Sequence, residues 1–174
     1  AIIGYSGAGK STLAETLSNY YSIPKLHMDT LQFQPGWQDS DREWMLTEMK
    51  NFLTKHEAWV IDGNYSWCCY EERMQEADQI IFLNFSPWTC LFRAFKRYLT
   101  YRGKVRESMA AGCPERFDWD FIRWILWDGR TKNAKERYQR VQENYPEKVI
   151  ALRSQKEMDH FLENLANNKK NQRV

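Results

Sequence analysis

The sequence has no apolar run approaching the roughly 20 residues that a membrane-spanning helix needs, so no span is expected in it. No basic stretch followed by an apolar one stands at its start, so no secretory leader is read there. It also lacks an excess of charge: 25 Lys and Arg against 23 Asp and Glu leave a net +2, with a pI near 8.3. The chain is therefore no polycation, and any nucleic-acid contact has to rest on a local patch. Cysteine is scarce. Cys68, Cys69, Cys90 and Cys113 include a vicinal pair and no C-x-x-C, which suits neither a zinc site nor a disulfide framework and points to reduced thiols in a cytoplasm. No internal repeat is visible. What is there is ordinary globular usage, 43% apolar and 28% charged, which excludes disordered and collagen-like classes. At 174 residues the chain suits one domain, 1–174, able to bury a core without metal or disulfide staples. The eight tryptophans are many, and a large aromatic core is their expected use.

Apolar stretches alternate with helical ones. Residues 1–3 (AII) form a strand stub, short enough that a few residues are expected ahead of Ala1, and a helix follows over 10–21. Residues 23–29 (IPKLHMD) read as a strand closing on a carboxylate, and 34–37 (QPGW) as a turn. Ser40 and Glu43 have capping-box spacing and open a helix to about Lys55. Residues 58–62 (AWVID) are an apolar strand with an acidic end, followed by Gly63 and a short helix to about Ala77. Residues 79–85 (QIIFLNF) are nearly all apolar, as a strand covered on both faces is. Ser86 and Pro87 supply a cap and a first-turn proline for a helix to Tyr101. Residues 102–118, with two Gly and a Pro, break the rhythm. Helices over 119–128 and 131–144, a strand over 148–152, and a helix capped by Ser154 and Glu157 and ending near Ala166 complete the pattern, with a frayed tail over 167–174. Such alternation implies an α/β fold of three layers: a parallel sheet of about five strands, helices on both faces, and a helical lid-like insert at about 98–120. Sheets of this kind bind ligands at the C-terminal edges of their strands.

At one such edge lies AIIGYSGAGKST, in which Gly4, Gly9, Lys10 and Ser11 satisfy G-x-x-x-x-G-K-[ST]. A chance match in a chain this long is about a one-percent event at average glycine usage, and the context of strand before and helix after is the required one. The backbone amides of Ser6, Gly7, Ala8 and Gly9 can turn inward as an anion nest, and the helix N-terminus at Lys10, Ser11 and Thr12 adds its partial positive charge. Lys10 can reach β and γ phosphates, and the Ser11 hydroxyl can take a place on Mg²⁺. This is a phosphate cradle of the P-loop NTPase type, so ATP and Mg²⁺ are the expected cofactors.

Two carboxylates end apolar stretches on the same edge. Asp62 is placed to orient Mg²⁺ through its water shell, or to cap the following loop. Asp29 is placed to hold a second substrate and take the proton of its hydroxyl, or again to cap. His27 lies on the face of Asp29 and reads equally as core or as substrate-lining. Trp37 of QPGW and Asn64 and Tyr65 of GNY are candidates for the wall of an acceptor pocket, with the two rings stacking on a ligand or packing into the core. Residues 93–106 (RAFKRYLTYRGKVR) carry six basic residues and no acidic one. Three readings stand: a solvated face, a DNA-contacting patch with Phe95, Tyr98 and Tyr101 interleaved, or a mobile lid bringing Arg97, Arg102 and Arg106 onto transferring phosphates. Arg123, Arg130 and Arg137 follow as further candidates, and residues 112–121 as a segment that docks the lid.

The cradle, Asp29, IDGNY and the arginines after the fourth strand together resemble the adenylate-kinase-like group of small nucleoside and metabolite kinases. IDGNY is similar to the DG-F-P stretch of adenylate kinases, with Asn64–Tyr65 in place of Phe–Pro. The resemblance implies that Arg93 lies near the adenine, that Arg97 reaches phosphates, and that Arg153 and Gln155, after the last strand, are adenine neighbours. Over nearly the whole chain, HMDTLQFQPGW, IDGNYS and YRGKVRESMAAGCPERFDWDFIRWI resemble the bacterial topology modulation proteins, a name that implies an effect on DNA topology. The expectation from residues and resemblance together is an Mg-ATP-dependent phosphotransferase acting on a small hydroxylated or phosphorylated acceptor. The alternatives are a nucleotide-controlled DNA-binding regulator touching DNA through 93–106, and a simple NTPase.

Overall fold

The computed structural model describes the backbone of residues 1–171 and the side chains of residues 1–167. Five short strands form one parallel sheet: β1 (Ile2–Gly4), β2 (Lys25–His27), β5 (Val60–Asp62), β6 (Ile80–Leu83) and β7 (Val149–Leu152), in the order β2-β5-β1-β6-β7. Ile2 pairs with Asp62 on one side and Ile81 on the other, so β1 occupies the centre. Every residue of β1, β5 and β6 is buried, as continuous apolar strands between two helical layers must be. Val60 and Ile61 are consecutive and hence point to opposite faces, and each belongs to a different apolar cluster. The larger cluster joins β1 and β6 to α1 (Lys10–Tyr21), α4 (Tyr70–Glu76), α5 (Pro87–Tyr101), α6 (Trp119–Leu126), α7 (Lys132–Asn144) and α8 (Gln155–Asn171). The smaller packs Met45, Met49 and Leu53 of α3 (Arg42–Lys55) on Met28 and Ile61. The α/β three-layer expectation therefore holds.

Several boundaries differ from expectation for local reasons. The strand after α1 stops at His27, and Asp29 sits in the first turn of a five-residue helix, α2 (Met28–Gln32). The turn at 34–37 is the tip of a hairpin, β3 (Phe33–Gln34) with β4 (Gln38–Asp39), and Gly36 and Trp37 both have positive φ there. Ser40 does not cap α3. Asp41 does, its Oδ1 accepting from Trp44 N at 2.9 Å, while Ser40 Oγ is buried without a partner. Ser86 caps α5 ahead of Pro87, and Ser154 caps α8 as expected. The insert expected at about 98–120 is not helical: between the end of α5 and Trp119, where α6 begins, residues 102–118 form no helix or strand, with one bridge between Arg102 and Glu115, as their two glycines and proline favour. Of the expected frayed tail, residues 167–171 continue α8 and residues 172–174 lie outside the described residues. None of the eight tryptophans is buried: Trp44, Trp88, Trp119, Trp124 and Trp127 are exposed and the other three half-buried, so the aromatic-core expectation fails for tryptophan. Among the described residues no helix is long and apolar enough to cross a membrane.

Candidate functional site

Between β1 and α1 the chain turns sharply, and glycine is what allows it. Gly7 has φ +79°, and a Cβ there would lie 2.5 Å from Cys90 O of α5. Gly9 ends the loop with φ +96° as the N-cap of α1, which has no side-chain cap and no acidic residue in its first turn. The positive end of α1 is thus left to whatever faces it. Lys10 Nζ folds back to donate to Gly4 O (2.9 Å) and Tyr5 O (3.2 Å). Desolvation pushes its pKa down, while the charges of Asp29 and Asp62 pull it up.

Asp62, at the end of the adjacent strand, is buried and fully engaged. Its Oδ2 accepts from Ser11 Oγ at 2.9 Å and its Oδ1 faces His27 Nδ1 at 2.5 Å. A carboxylate only accepts, so the His27 proton on that bond is on Nδ1. Strand order explains the trio: β2 and β5 are neighbours and pair His27 with Asp62. The next segment is tied to the loop as well, since Asn64 Oδ1 accepts from Gly4 N (3.0 Å) and its Nδ2 donates to Gly4 O (2.5 Å). Gly63 is required where Met28 crosses it, for a Cβ would lie 2.7 Å from Met28 Cβ. Beneath, wholly buried Arg73 donates to the carbonyls of Gly63, Tyr65 and Cys69.

Across the opening, Tyr65 OH donates to Asp29 Oδ1 at 2.7 Å. Burial first, then the Asp29 carboxylate, push the phenol pKa far up, so it stays a donor. Trp37 packs edge-on against Phe33 (5.2 Å) and lies under the Arg116 guanidinium (4.5 Å). The hairpin tip is fastened to the 102–118 segment: Gly36 N donates to Gly112 O (3.0 Å) and Cys113 Sγ to Gln34 O (3.1 Å). From that segment Glu115, its side chain 5% exposed, accepts from Arg97 Nε (2.8 Å) and Arg106 Nε (2.6 Å). Two guanidinium groups on one carboxylate leave a net positive charge. Desolvation, then the nearby Arg106, lower the Arg97 pKa, opposed by Glu115. Beside the loop Arg93 donates to Ala8 O (2.5 Å) and to Gln155 Oε1, its guanidinium 4.3 Å over the Phe85 ring.

One open cleft of about 1320 Å³ takes in all three groups. Its walls include Lys10 and Ser11, Asp29 and Tyr65, and Arg97 and Arg106. Hard oxygen donors at Ser11 and Asp62 are the chemistry Mg²⁺ takes, using one or two protein ligands beside phosphates and water. Among the described residues no group of three or more His, Cys, Asp or Glu gathers to cage a metal by itself.

No protein-family model matches this sequence, and no curated protein does. Among solved structures, a deoxyadenosine kinase from M. mycoides, with the products dCMP and a flexible dCDP bound, is similar over 95% of this chain and 97% of its own, with a TM-score of 0.52 at 17% identity. A gluconokinase from Sinorhizobium meliloti 1021 is similar over 99% of this chain and 96% of its own, with a TM-score of 0.47 at 16% identity. The first of these shares this chain's α/β fold of a parallel five-strand sheet between helical layers.

Within this fold, most of the residues read from the sequence converge. Ser6, Gly7, Gly9, Lys10, Ser11 and Thr12 line the cleft; so do Asp29, Trp37, Asp62, Asn64 and Tyr65, and Arg93, Arg97, Arg106 and Gln155. Three do not. Ala8 is buried and offers its carbonyl to Arg93. Arg102 ends α5 and bridges to Glu115 through its backbone, which leaves its side chain exposed and off the cleft wall. Arg153 is exposed off the cleft too, its N–H spent on the Glu157 carboxylate. Sequence reasoning missed Glu115, the Arg73 brace and Trp124, whose Nε1 donates to Ser6 Oγ at 3.0 Å from α6. A carboxylate in an arginine-rich insert was the available signal for Glu115. Trp124 acts across the fold and leaves no local signal, and Arg73 turns back on carbonyls of its own segment, which no residue pattern marks.

Proposed function

We propose that the chain is an Mg-ATP-dependent phosphotransferase acting on a small hydroxylated or phosphorylated acceptor. The observation that carries this reading is the meeting of two pairs in one cleft: Lys10 with Ser11–Asp62, and Asp29 with Tyr65. The loop amides and Lys10, freed from the carbonyls of Gly4 and Tyr5, hold the β and γ phosphates. Ser11 and Asp62 hold Mg²⁺, which when bound neutralises charge on the phosphates. Asp29, its carboxylate oriented by the Tyr65 hydroxyl, accepts the proton of the acceptor hydroxyl as that oxygen attacks the γ-phosphorus and ADP leaves. Arg97 and Arg106 sit where negative charge spreads, and Arg93 with Gln155 borders the base.

The quoted resemblances support placing the chain with the topology modulation proteins, and four free cysteines fit a cytoplasmic location. Incubation with Mg-ATP and a panel of nucleosides, nucleotides and sugars tests the reading. A phosphorylated product with matching ADP is expected, and no product with any acceptor overturns it. ADP release without an acceptor identifies a simple NTPase instead. Lys10→Ala is expected to abolish the calorimetric heat of Mg-ATP binding; unchanged binding counts against the cradle itself.

A DNA-binding regulator is the second reading, favoured by the exposed Lys96, Arg102 and Lys104 beside exposed Phe95 and Tyr101. It has only half of the six cations to work with, because Arg93, Arg97 and Arg106 donate inward. Tight, ATP-sensitive gel-shift binding with a steep salt slope supports it, and a shallow slope or no shift removes it.

A further inference from the structure

Helix α5 is built inside out. Toward the core it turns small side chains, the buried Cys90 and Ala94. Outward it sends Trp88, Phe92, Phe95 and Leu99, which are 70%, 68%, 43% and 58% exposed. Their spacing of 4, 3 and 4 residues is that of a helix–helix seam, and at 3.6 residues per turn all four fall within about 60° of one another, opposite the buried pair. A helix covered by one layer carries its large apolar residues inward. None of these four belongs to either apolar cluster or to the cleft wall, although Phe95 touches the Phe117 ring at 5.3 Å. The kinase reading makes no use of them.

We propose that this stripe is the seam of a two-fold dimer, in which α5 of one copy packs antiparallel on α5 of a second copy of the chain. The spacing singles out that occupant: 4-3-4 reads the same from both ends. Reversing the helix about its midpoint sets Trp88 against the partner's Leu99 and Phe92 against the partner's Phe95, so every anchor meets an anchor. Little charge stands on this face. Helix α5 has no acidic residue, and two of its three cations, Arg93 and Arg97, are drawn into the cleft by Ala8 O, Gln155 and Glu115. Lys96 remains exposed at the rim, about 70° from the stripe; the two-fold sets both copies of Lys96 on one flank of the seam, where their long stems carry the charges out to water. The exposed portions of the four side chains amount to roughly 500 Å² per copy at about 150–250 Å² for a whole aromatic side chain. Covering both stripes completely would bury about 1,000 Å², at the threshold a biological interface has to clear. Trp119, two residues beyond Phe117 and 67% exposed, lies close enough in sequence to extend it.

Sedimentation velocity of the whole chain over about 1 to 100 µM tests the proposal. A dimer is expected within that range, and a monomer throughout overturns it, whatever else the stripe binds. Phe92→Lys, at an exposed position, is expected to raise the dimer dissociation constant at least about 30-fold while leaving the helical circular dichroism and Mg-ATP binding unchanged. A dimer indifferent to Phe92→Lys places the contact elsewhere and equally overturns it. The double variant Trp88→Cys, Leu99→Cys is expected to cross-link into covalent dimers under mild oxidation, where either single variant does not. These outcomes do not depend on catalysis, so they stand or fall apart from the kinase reading.

Discussion

At the scale of residues, Asp62 has both oxygens engaged, and only one of its partners belongs to the phosphate cradle. His27 holds the other oxygen from a neighbouring strand. Replacing His27 with Leu leaves that oxygen free to swing. On the reading that Asp62 holds Mg²⁺, an activity loss of about 10- to 100-fold with a raised Mg²⁺ requirement is expected, the usual effect of removing a group that orients a ligating carboxylate. His27→Asn, whose amide N–H can replace Nδ1–H, is expected to recover most of it; equal losses in both variants would show only a packing role. Cys69 provides a pH test. Burial, then Cys68 and Glu72, push its thiol pKa from about 9 up to about 11. A group whose acid pKa rises on folding stabilises the fold below its unfolded value and loses that contribution as pH climbs through its folded one. Alkylation of Cys69 is therefore expected to titrate with a midpoint near pH 11, and stability to fall between pH 9 and 11. A midpoint near 9 refutes the burial argument.

At the scale of elements, the sequence misled where chemistry was local but the partner was not. Ser40 and Glu43 have the spacing of a capping box, yet Asp41 takes the cap and leaves the Ser40 hydroxyl buried and unpaired. Asp41→Ala is expected to cost about 1 kcal/mol in denaturant unfolding. Ser40→Ala is expected to be neutral or slightly stabilising, because it removes an unsatisfied buried polar group. The reverse ranking would restore the capping box. By contrast, the glycine-rich loop, the apolar strands and the Ser86–Pro87 start of α5 were legible, since each is decided by neighbours within a few residues. Asn64 on Gly4 was not, because that pair meets only once β1 and β5 are known to be neighbours; nor were Arg73 under Gly63 and Tyr65 and Glu115 between two arginines, because no periodicity marks how irregular segments fold back. Composition pointed the wrong way for tryptophan: eight of them suggested a core, and five lie at the surface.

At the scale of the whole molecule, the fold positions its cleft by keeping the three central strands dry on both faces. Met74, wholly buried in the larger apolar cluster, measures that packing without touching the cleft. Met74→Ala is expected to destabilise by about 2–5 kcal/mol with nucleotide affinity unchanged in the folded fraction; a smaller loss would mean that the layer relaxes around the gap.

The stitching of Gly112 and Cys113 to the tip around Gly36 has a mechanical corollary. The roof on the arginine side and the floor on the Trp37 side form one jaw rather than two. On the phosphotransferase reading proposed above, a swing that admits an acceptor also lifts Arg106 away from the phosphates, and one that seats Arg106 shuts the acceptor in. Trapping and charge delivery would then be the same stroke.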